Sequence, residues 1–140
     1  MAETMDAALE DLADIFEVLG DWEQRYRFLI DMGRELEPLP AADHIDANKV
    51  RGCASQVWIT TEREPDGTLR FRADSDAHIV KGLIAVLLKL YSGRTPREIT
   101  AFDAHAAMQK LGLPEALSSQ RANGLNAMIE RIRGEARAAA

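Results

Sequence analysis

The chain has 140 residues, of which 46% are hydrophobic and 29% charged, and its formal net charge is -6. This length and composition are typical of one folded domain and exclude the apolar-poor class of disordered chains. The acidic balance disfavours nucleic acid and anionic membranes as main partners, because both select for basic protein surfaces.

The sequence also carries information about the compartment. Residues 1–20 contain several acidic side chains and no continuous apolar run, so we expect no secretory signal peptide. The most apolar stretch, Ile79 to Leu90, is interrupted by Lys81 and Lys89 and is too short to span a bilayer. The single cysteine cannot form an internal disulfide and fits a reducing compartment. We therefore expect a cytoplasmic protein.

Apolar residues at helical spacing predict two amphipathic helices before residue 38. The first ends at Gly20. Asp21, with Gln24 three residues later, resembles a capping box and predicts the start of the second helix. Pro38-Leu39-Pro40 ends that helix, because proline lacks the N–H group and restricts the residue before it. The apolar positions are Met5, Leu9, Leu12, Ile15, Phe16 and Leu19 in the first helix, and Trp22, Tyr26, Leu29, Ile30 and Gly33 in the second.

The apolar period then changes to two residues, which predicts an antiparallel hairpin. The turn sequence Glu64-Pro65-Asp66-Gly67 separates two such segments. In the first, Val57, Ile59 and Thr61 alternate with Trp58 and Thr60, and in the second, Leu69, Phe71 and Ala73 alternate with Thr68, Arg70 and Arg72. Asn48 to Val50 is a candidate for a third short strand.

Four further segments complete the predicted order. A helix from about Asp76 to Ser92 is apolar nearly all round, so it should be central and cover one face of the sheet. Thr95-Pro96-Arg97-Glu98 provides an N-cap, a proline at N1 and a glutamate at N3. A short helix around residues 105–111 and a last helix from Ser118 or Ser119 follow. The pattern predicts an α+β fold in one domain over residues 1–140, with a small antiparallel sheet packed against helices.

Cys53 is the residue that we single out for chemistry. Gly52 and Ala54 leave its sulfur sterically open, and it lies where irregular chain meets a predicted strand. Lys49 and Arg51 are near in sequence, and positive charge lowers the pKa of a thiol and increases the nucleophilic thiolate. These residues predict a reactive thiol; the alternative is a buried cysteine acting as a small hydrophobe.

Other residues of chemical interest have structural readings that we favour. His44, His78 and His105 are candidates for a Cys–His dyad, but no local cysteine-protease signature accompanies Cys53. Asp43, His44 and Asp46 are metal ligands by type, although a short polar loop is the simpler reading.

Two acidic residues precede the central helix. Asp74 and Asp76 are candidates for a pair of catalytic acids, and capping of the following helix is the favoured reading. The sequence contains no phosphate loop and no GxGxxG motif.

Three blocks of sequence resemble one protein family in their order and spacing. Residues 48–59 read NKVRGCASQVWI, residues 74–83 read DSDAHIVKGL, and residues 118–125 read SSQRANGL. Together they resemble the SufE family of sulfur-acceptor proteins, which includes the CsdE-type proteins. The resemblance extends from about Trp22 to the last helix, nearly the whole predicted domain.

The resemblance implies a fold shared with the IscU/NifU scaffold proteins. It implies that Cys53 receives sulfur as a persulfide from a pyridoxal-phosphate cysteine desulfurase of the SufS or CsdA type. It also implies that the chain stimulates that enzyme. The chain would then deliver sulfur to an iron–sulfur assembly scaffold or another acceptor. The chain is expected to be a partner protein, not an enzyme, and to hold no metal or cofactor, because the pyridoxal phosphate belongs to the desulfurase.

Several further residues are expected around Cys53. Arg121 corresponds to the arginine of the family's C-terminal block and is expected near the cysteine loop, where it would favour an anionic sulfur; a surface arginine is the alternative. Val57 and Trp58 are apolar neighbours expected to shelter the sulfur. Asp76 is expected to face the loop, and Asp74 or Ser75 to cap the helix. The supporting residues are Arg51, Gly52, Ser55, Gln56, Trp58, Asp74, Asp76 and Arg121.

Two other functions remain as alternatives. An iron–sulfur scaffold would share the expected fold, but it needs several ligating thiols and this chain has one. A redox-sensing protein would use Cys53 to form a mixed disulfide.

Overall fold

Seven α-helices and a two-stranded antiparallel sheet form the part of the chain that the computed structural model describes, residues 3–140. The predicted α+β class is therefore confirmed. Met1 and Ala2, which the single-domain prediction includes, lie outside the described residues. The elements are α1 (Met5–Leu19), α2 (Trp22–Arg34), β1 (Val57–Arg63), β2 (Leu69–Ser75), α3 (His78–Tyr91), α4 (Pro96–Ala101), α5 (Ala104–Leu111), α6 (Leu113–Ala116) and α7 (Ser119–Ala139), with single 3-10 turns at Ala41–Asp43 and Asp46–Asn48.

The helix starts follow the capping signals of the sequence. The Asp21 carboxylate accepts a hydrogen bond from the backbone N–H of Gln24 at 2.9 Å and caps α2. Thr95 and Glu98 form both bonds of a capping box at the start of α4, at 3.1 and 3.0 Å. Ser118 caps α7. Each side chain accepts from a backbone N–H that has no partner inside the helix.

Helix α3 is central, as its apolar circumference predicts. It contacts α1, α2, α7 and β2, and nine of its residues are buried. Its packing against β2 covers one face of the hairpin. Burying an apolar side chain of this size stabilises a fold by about 1.5–3 kcal/mol, so this helix organises the core. The buried residues are Val80, Gly82, Leu83, Ile84, Ala85, Val86, Leu87, Leu90 and Tyr91.

The predicted capping of α3 by Asp74, Ser75 or Asp76 is wrong. The helix begins at His78, and its N-cap residue is Ala77, which has no side chain able to accept a hydrogen bond. Ser75 still belongs to β2, whose pairing extends as far as the Val57–Ser75 pair. The strand therefore continues too far for these polar residues to reach the N-cap position.

The hairpin confirms the period-two prediction. Strand β1 pairs with β2 from Val57–Ser75 to Arg63–Leu69, and one face carries the buried side chains. The predicted third strand at Asn48 to Val50 is reduced to an isolated bridge between Lys49 and Trp58, beside a 2.8 Å bond from Val50 N–H to the Val57 carbonyl. The chain leaves this pairing at Gly52, whose positive φ of 90° turns the backbone away.

Helices α2 and α3 approach so closely that glycine is needed at their crossing. A Cβ at Gly82 would lie 2.6 Å from the carbonyl carbon of Leu29, and one at Gly33 would lie 2.7 Å from the backbone nitrogen of Gly82. Both distances are shorter than van der Waals contact with backbone atoms, which side-chain rotation cannot relieve. None of the helices in residues 3–140 combines the length and apolarity that crossing a bilayer requires.

We expect Gly82→Ala to lower the free energy of unfolding by about 1–3 kcal/mol, because overpacking outweighs the helix propensity that alanine adds. Gly134→Ala is the matched control, since Gly134 is also helical and a Cβ there would meet no atom within 4 Å. That control should gain about 0.5–1 kcal/mol. Urea unfolding of both variants checks the prediction, and equal gains would show that the helices can separate without cost.

Candidate functional site

Cys53 lies in an irregular loop, residues 51–56, that enters β1. Its side chain is half-buried and lines a cavity of about 140 Å³. Helices α3 and α7 form the apolar wall, and the loop itself closes one side. A cavity of this volume has room for a small group attached to sulfur. Its lining residues are Cys53, Ala54, Ser55, Val80, Leu83, Gln120, Arg121, Gly124, Leu125 and Met128.

The Cys53 thiol contacts the backbone of α7 directly. Its Sγ donates a weak hydrogen bond to the Gly124 carbonyl at 3.5 Å. A Cβ at Gly124 would lie 3.6 Å from Sγ and 3.9 Å from the Cys53 Cα, so the loop packs against the helix where a side chain is missing. These distances are ordinary van der Waals contacts, so the loop lies directly on α7, and the hydrogen bond holds the sulfur beside the helix.

The expected lowering of the Cys53 pKa by Lys49 and Arg51 is wrong. Burial raises the pKa of the Cys53 thiol above its ordinary value, because an apolar environment disfavours the thiolate. Arg51 is exposed and does not line the cavity. At neutral pH, the Cys53 thiol in this position is therefore protonated and a poor nucleophile.

Asp76 is hydrogen-bonded to Gln56, the C-terminal residue of the cysteine loop. Its carboxylate accepts a hydrogen bond from the backbone N–H of Gln56 at 3.0 Å, and its own N–H donates to the Gln56 carbonyl at 3.3 Å. The structure thus places Asp76 beside the cysteine loop, as predicted. A role in restraining the loop remains a prediction, tested below.

Asp74 belongs to a separate cluster on the polar face of the hairpin. Its carboxylate lies 2.9 Å from His44 Nε2 and 3.4 Å from Lys81 Nζ. Burial raises the pKa of Asp74, but the hydrogen bonds from His44, Ser75 and Lys81 and the charge of Lys81 outweigh burial, so the net effect lowers that pKa. Because Asp74 and Asp76 have different partners, they are not a pair of catalytic acids.

The three histidines do not form a dyad with Cys53. His44 bonds to Asp74 and packs edge-on against Trp58, with ring centroids 4.6 Å apart. His105 lines another cavity, beside α5 and α7, and His78 is exposed. Within residues 3–140, no three His, Cys, Asp or Glu side chains converge as a metal site requires.

The expectation that Val57 and Trp58 shelter Cys53 is also wrong. Val57 is fully buried in the sheet core, and Trp58 lies against His44. The apolar shelter instead comes from Val80 and Leu83 on α3 and from Leu125 and Met128 on α7. Val80 and Leu83 belong to the helix that the sequence predicts to be central, and only the tertiary fold brings them and the two α7 residues to the thiol.

Two of the remaining supporting residues contribute to the wall of the Cys53 cavity. Ser55 and Arg121 line the Cys53 cavity, and Gln120 and Gly124, which the sequence analysis missed, do so from the same first turns of α7. Arg121 is thus both a surface arginine and a cavity residue. The signal for Gln120 and Gly124 was present, since both belong to the SSQRANGL block.

Comparison with known proteins identifies the family. A family model described as "SufE: Fe-S metabolism associated domain" matches residues 10–136. The chain belongs to the SufE family. This SufE-family chain is therefore linked to iron–sulfur metabolism.

Similar proteins support the assignment along nearly the whole chain. An uncharacterised SufE-like protein of Rhizobium etli is 48% identical over 134 residues, covering 94% of this chain and 90% of the relative. One of Rhizobium meliloti is 48% identical over 132 residues, covering 92% and 94%. The solution structure of a hypothetical protein from Thermus thermophilus has the same fold, with a TM-score of 0.77 at 22% identity, covering 94% of this chain and 95% of that one.

The pH dependence of Cys53 alkylation follows from its burial. The thiolate reacts, so the rate should rise with pH and have its midpoint above the ordinary thiol value of about 8.5. In urea the midpoint should fall towards that value, because burial is lost. Iodoacetamide kinetics from pH 6 to about pH 10.5 measure both curves; a native midpoint below the unfolded one would contradict the burial argument.

We expect Asp76→Ala to quicken Cys53 alkylation in the folded protein, because the loop loses a hydrogen bond at its C-terminal end. Asp76→Asn retains an oxygen acceptor and should react at nearly the wild-type rate. Alkylation rates and melting temperatures of both variants are measured together. A lowered melting temperature for Asp76→Ala with an unchanged alkylation rate would reject the restraint role.

Proposed function

We propose that this chain accepts sulfur on Cys53 as a persulfide from a cysteine desulfurase, stimulates that enzyme, and delivers the sulfur for iron–sulfur cluster assembly. The observation that carries the proposal is the placement of the chain's one cysteine in a SufE-family loop at the mouth of a small apolar cavity. The cavity suits a single added sulfur atom, while the loop position allows the thiol to reach a partner.

The transfer is a thiol–disulfide type of exchange. The Cys53 thiol loses its proton, and its sulfur attacks the outer sulfur of the persulfide on the desulfurase. One sulfur–sulfur bond forms at Cys53 while the bond in the desulfurase persulfide breaks, and the desulfurase cysteine leaves as a thiolate that takes up a proton. The number of sulfur–sulfur bonds is unchanged, so the step needs no external oxidant or reductant.

We infer two states of the Cys53 loop: a docked state, in which the thiol lies in the cavity, and an exposed state, in which the thiol lies in solvent. In the docked state, burial keeps the Cys53 thiol protonated and unreactive. Moving the loop into water lowers the pKa of the thiol and gives its sulfur a path for in-line attack. After transfer, return to the cavity would remove the persulfide from reductants and oxidants in solution.

Arg121 is the one charged residue among those that line the cavity, and we propose that it favours the anionic forms of sulfur that arise during transfer. A guanidinium remains charged at all physiological pH values and lowers the free energy of a nearby thiolate or persulfide anion. No pyridoxal phosphate or metal is required in this chain, because the desulfurase generates the persulfide.

Cys53→Ser should fold normally but accept no sulfur, because the hydroxyl is neither a soft nucleophile nor easily ionised. Incubation of the wild type with a cysteine desulfurase and cysteine should add about 32 Da at Cys53 for each sulfur atom. Intact-protein mass and alanine release measure acceptance and stimulation. Full stimulation by Cys53→Ser would reject the carrier mechanism and leave an activator that acts without covalent chemistry.

The same preparation separates the two alternatives. A scaffold would show iron–sulfur absorbance in stoichiometric amount after anaerobic purification, and a redox sensor would form a mixed disulfide without gaining a sulfur atom from the desulfurase.

A further inference from the structure

One face of α7 lies along residues 47–53, the segment that leads to Cys53. The helix and this segment run antiparallel to each other. Gly124 contacts Cys53, and Ala127 lies under the preceding residue, with its Cβ 3.4 Å from the position that a Cβ would take at Gly52. Residues 124, 127 and 131 share this face, because residues three, four and seven positions apart lie on one side of a helix. The two small residues allow the loop backbone to lie directly on the helix.

Arg131 is the polar end of this face. Its Nη1 donates to the Lys49 carbonyl at 3.1 Å, and its Nη2 donates to the Ala47 carbonyl at 2.9 Å. Its Nε donates to Glu135 at 3.0 Å, which holds the guanidinium in this orientation. The side chain is only 26% exposed, so these bonds are partly shielded from water.

Few other hydrogen bonds join this segment to the helix. Asn48 and Lys49 donate their backbone N–H groups to carbonyls within the same turn, and Val50 donates to Val57 on the hairpin. Among the described residues, the hydrogen bonds between residues 47–53 and α7 are the two from Arg131 and the weak one from the Cys53 thiol at 3.5 Å. Charged donors form stronger hydrogen bonds than a thiol does, so Arg131 contributes most of this attachment.

We propose that Arg131 is a positioning residue for sulfur transfer, which attaches the base of the Cys53 loop to α7 and thereby sets how often Cys53 leaves its cavity. This inference rests on the proposed function only for its consequence in transfer. The attachment at Arg131 and the hydrogen bond that the Gln56 N–H donates to Asp76 then lie on either side of the segment that moves, residues 51–55, because Val50 stays bonded to Val57 on the hairpin.

Arginine is suited to this position for a geometric reason. Its planar guanidinium presents several N–H groups in a rigid fork, so it reaches two carbonyls and a carboxylate at once. A lysine ammonium is a single point donor on a flexible stem and cannot reproduce that arrangement. Arg131→Lys should therefore retain only part of the attachment.

The test compares Arg131→Gln with Arg133→Gln. Arg133 also lies on α7, is 24% exposed and donates to a backbone carbonyl, that of Phe102 at 3.1 Å, which is not part of the cysteine loop. Native-state alkylation of Cys53 should be about tenfold faster in Arg131→Gln, as expected for loss of hydrogen bonds from a charged donor. Arg133→Gln should stay at the wild-type rate, and Arg131→Lys should fall between the wild type and Arg131→Gln.

Urea unfolding of each variant separates loop release from general instability. Faster alkylation in Arg131→Gln at a stability equal to that of Arg133→Gln supports the proposal, and equal alkylation rates in the two variants overturn it. If Arg131→Gln does not fold, the comparison uses Arg131→Lys against Arg133→Lys with the same criterion.

Single-turnover transfer from a persulfidated desulfurase provides the second readout. Transfer should quicken in the same variants and order as alkylation, because both reactions need the thiol outside the cavity. Quicker alkylation without quicker transfer would overturn the role in transfer. A wild-type chain that accepts no sulfur would defeat the proposed function, while the alkylation comparison would still decide whether Arg131 holds the loop.

Discussion

The burial of α3 is the constraint on which the rest of this structure depends. Its side chains are apolar nearly all round, so it is stable only when other elements cover it on every side. Helices α1 and α2, strand β2 and helix α7 provide that cover. The Cys53 cavity lies between α3 and α7, and its apolar wall is an extension of the same core. The requirement to bury one helix therefore also creates the apolar environment of the thiol.

That environment opposes the chemistry proposed for Cys53. A nucleophilic sulfur must ionise, whereas burial raises the pKa of the thiol and keeps it protonated. Both conditions can be met in turn if the loop moves between the cavity and solvent. Arg51, Gly52 and Ala54 are exposed, and hydrogen bonds attach the two ends of the loop, so the proposed movement is confined to the residues between those attachments. The thiol would then be protected while it lies in the cavity and would react while it lies in solvent.

Glycine positions make this arrangement compact. At the crossing of α2 and α3, Gly33 and Gly82 bring two backbones together, and at Gly124 the loop backbone lies on α7. Gly52 has a positive φ that turns the chain between the bridge at Lys49 and the cysteine. The SufE family assignment connects this chain with iron–sulfur metabolism.

The sequence by itself determined the order and type of most elements, and it singled out Cys53 as the candidate for chemistry. Local signals were sufficient there, because helix periodicity, capping pairs such as Thr95 with Glu98, and the turn at residues 64–67 act over a few residues. Three sequence blocks also identified the family that the comparisons confirm.

Only the tertiary structure decided the surroundings of Cys53. Lys49 and Arg51 are its neighbours in sequence, yet burial against α3 and α7 controls its pKa. Trp58 is five residues away along the chain but packs on His44, whereas Gly124, 71 residues away, touches the sulfur. Asp74 and Asp76, close in sequence, have different partners because β2 ends at Ser75: Asp74 lies within the strand beside His44, and Asp76 lies beyond the strand beside the cysteine loop. Contacts between distant segments depend on how the elements pack, and the local pattern that predicts each element does not contain that information.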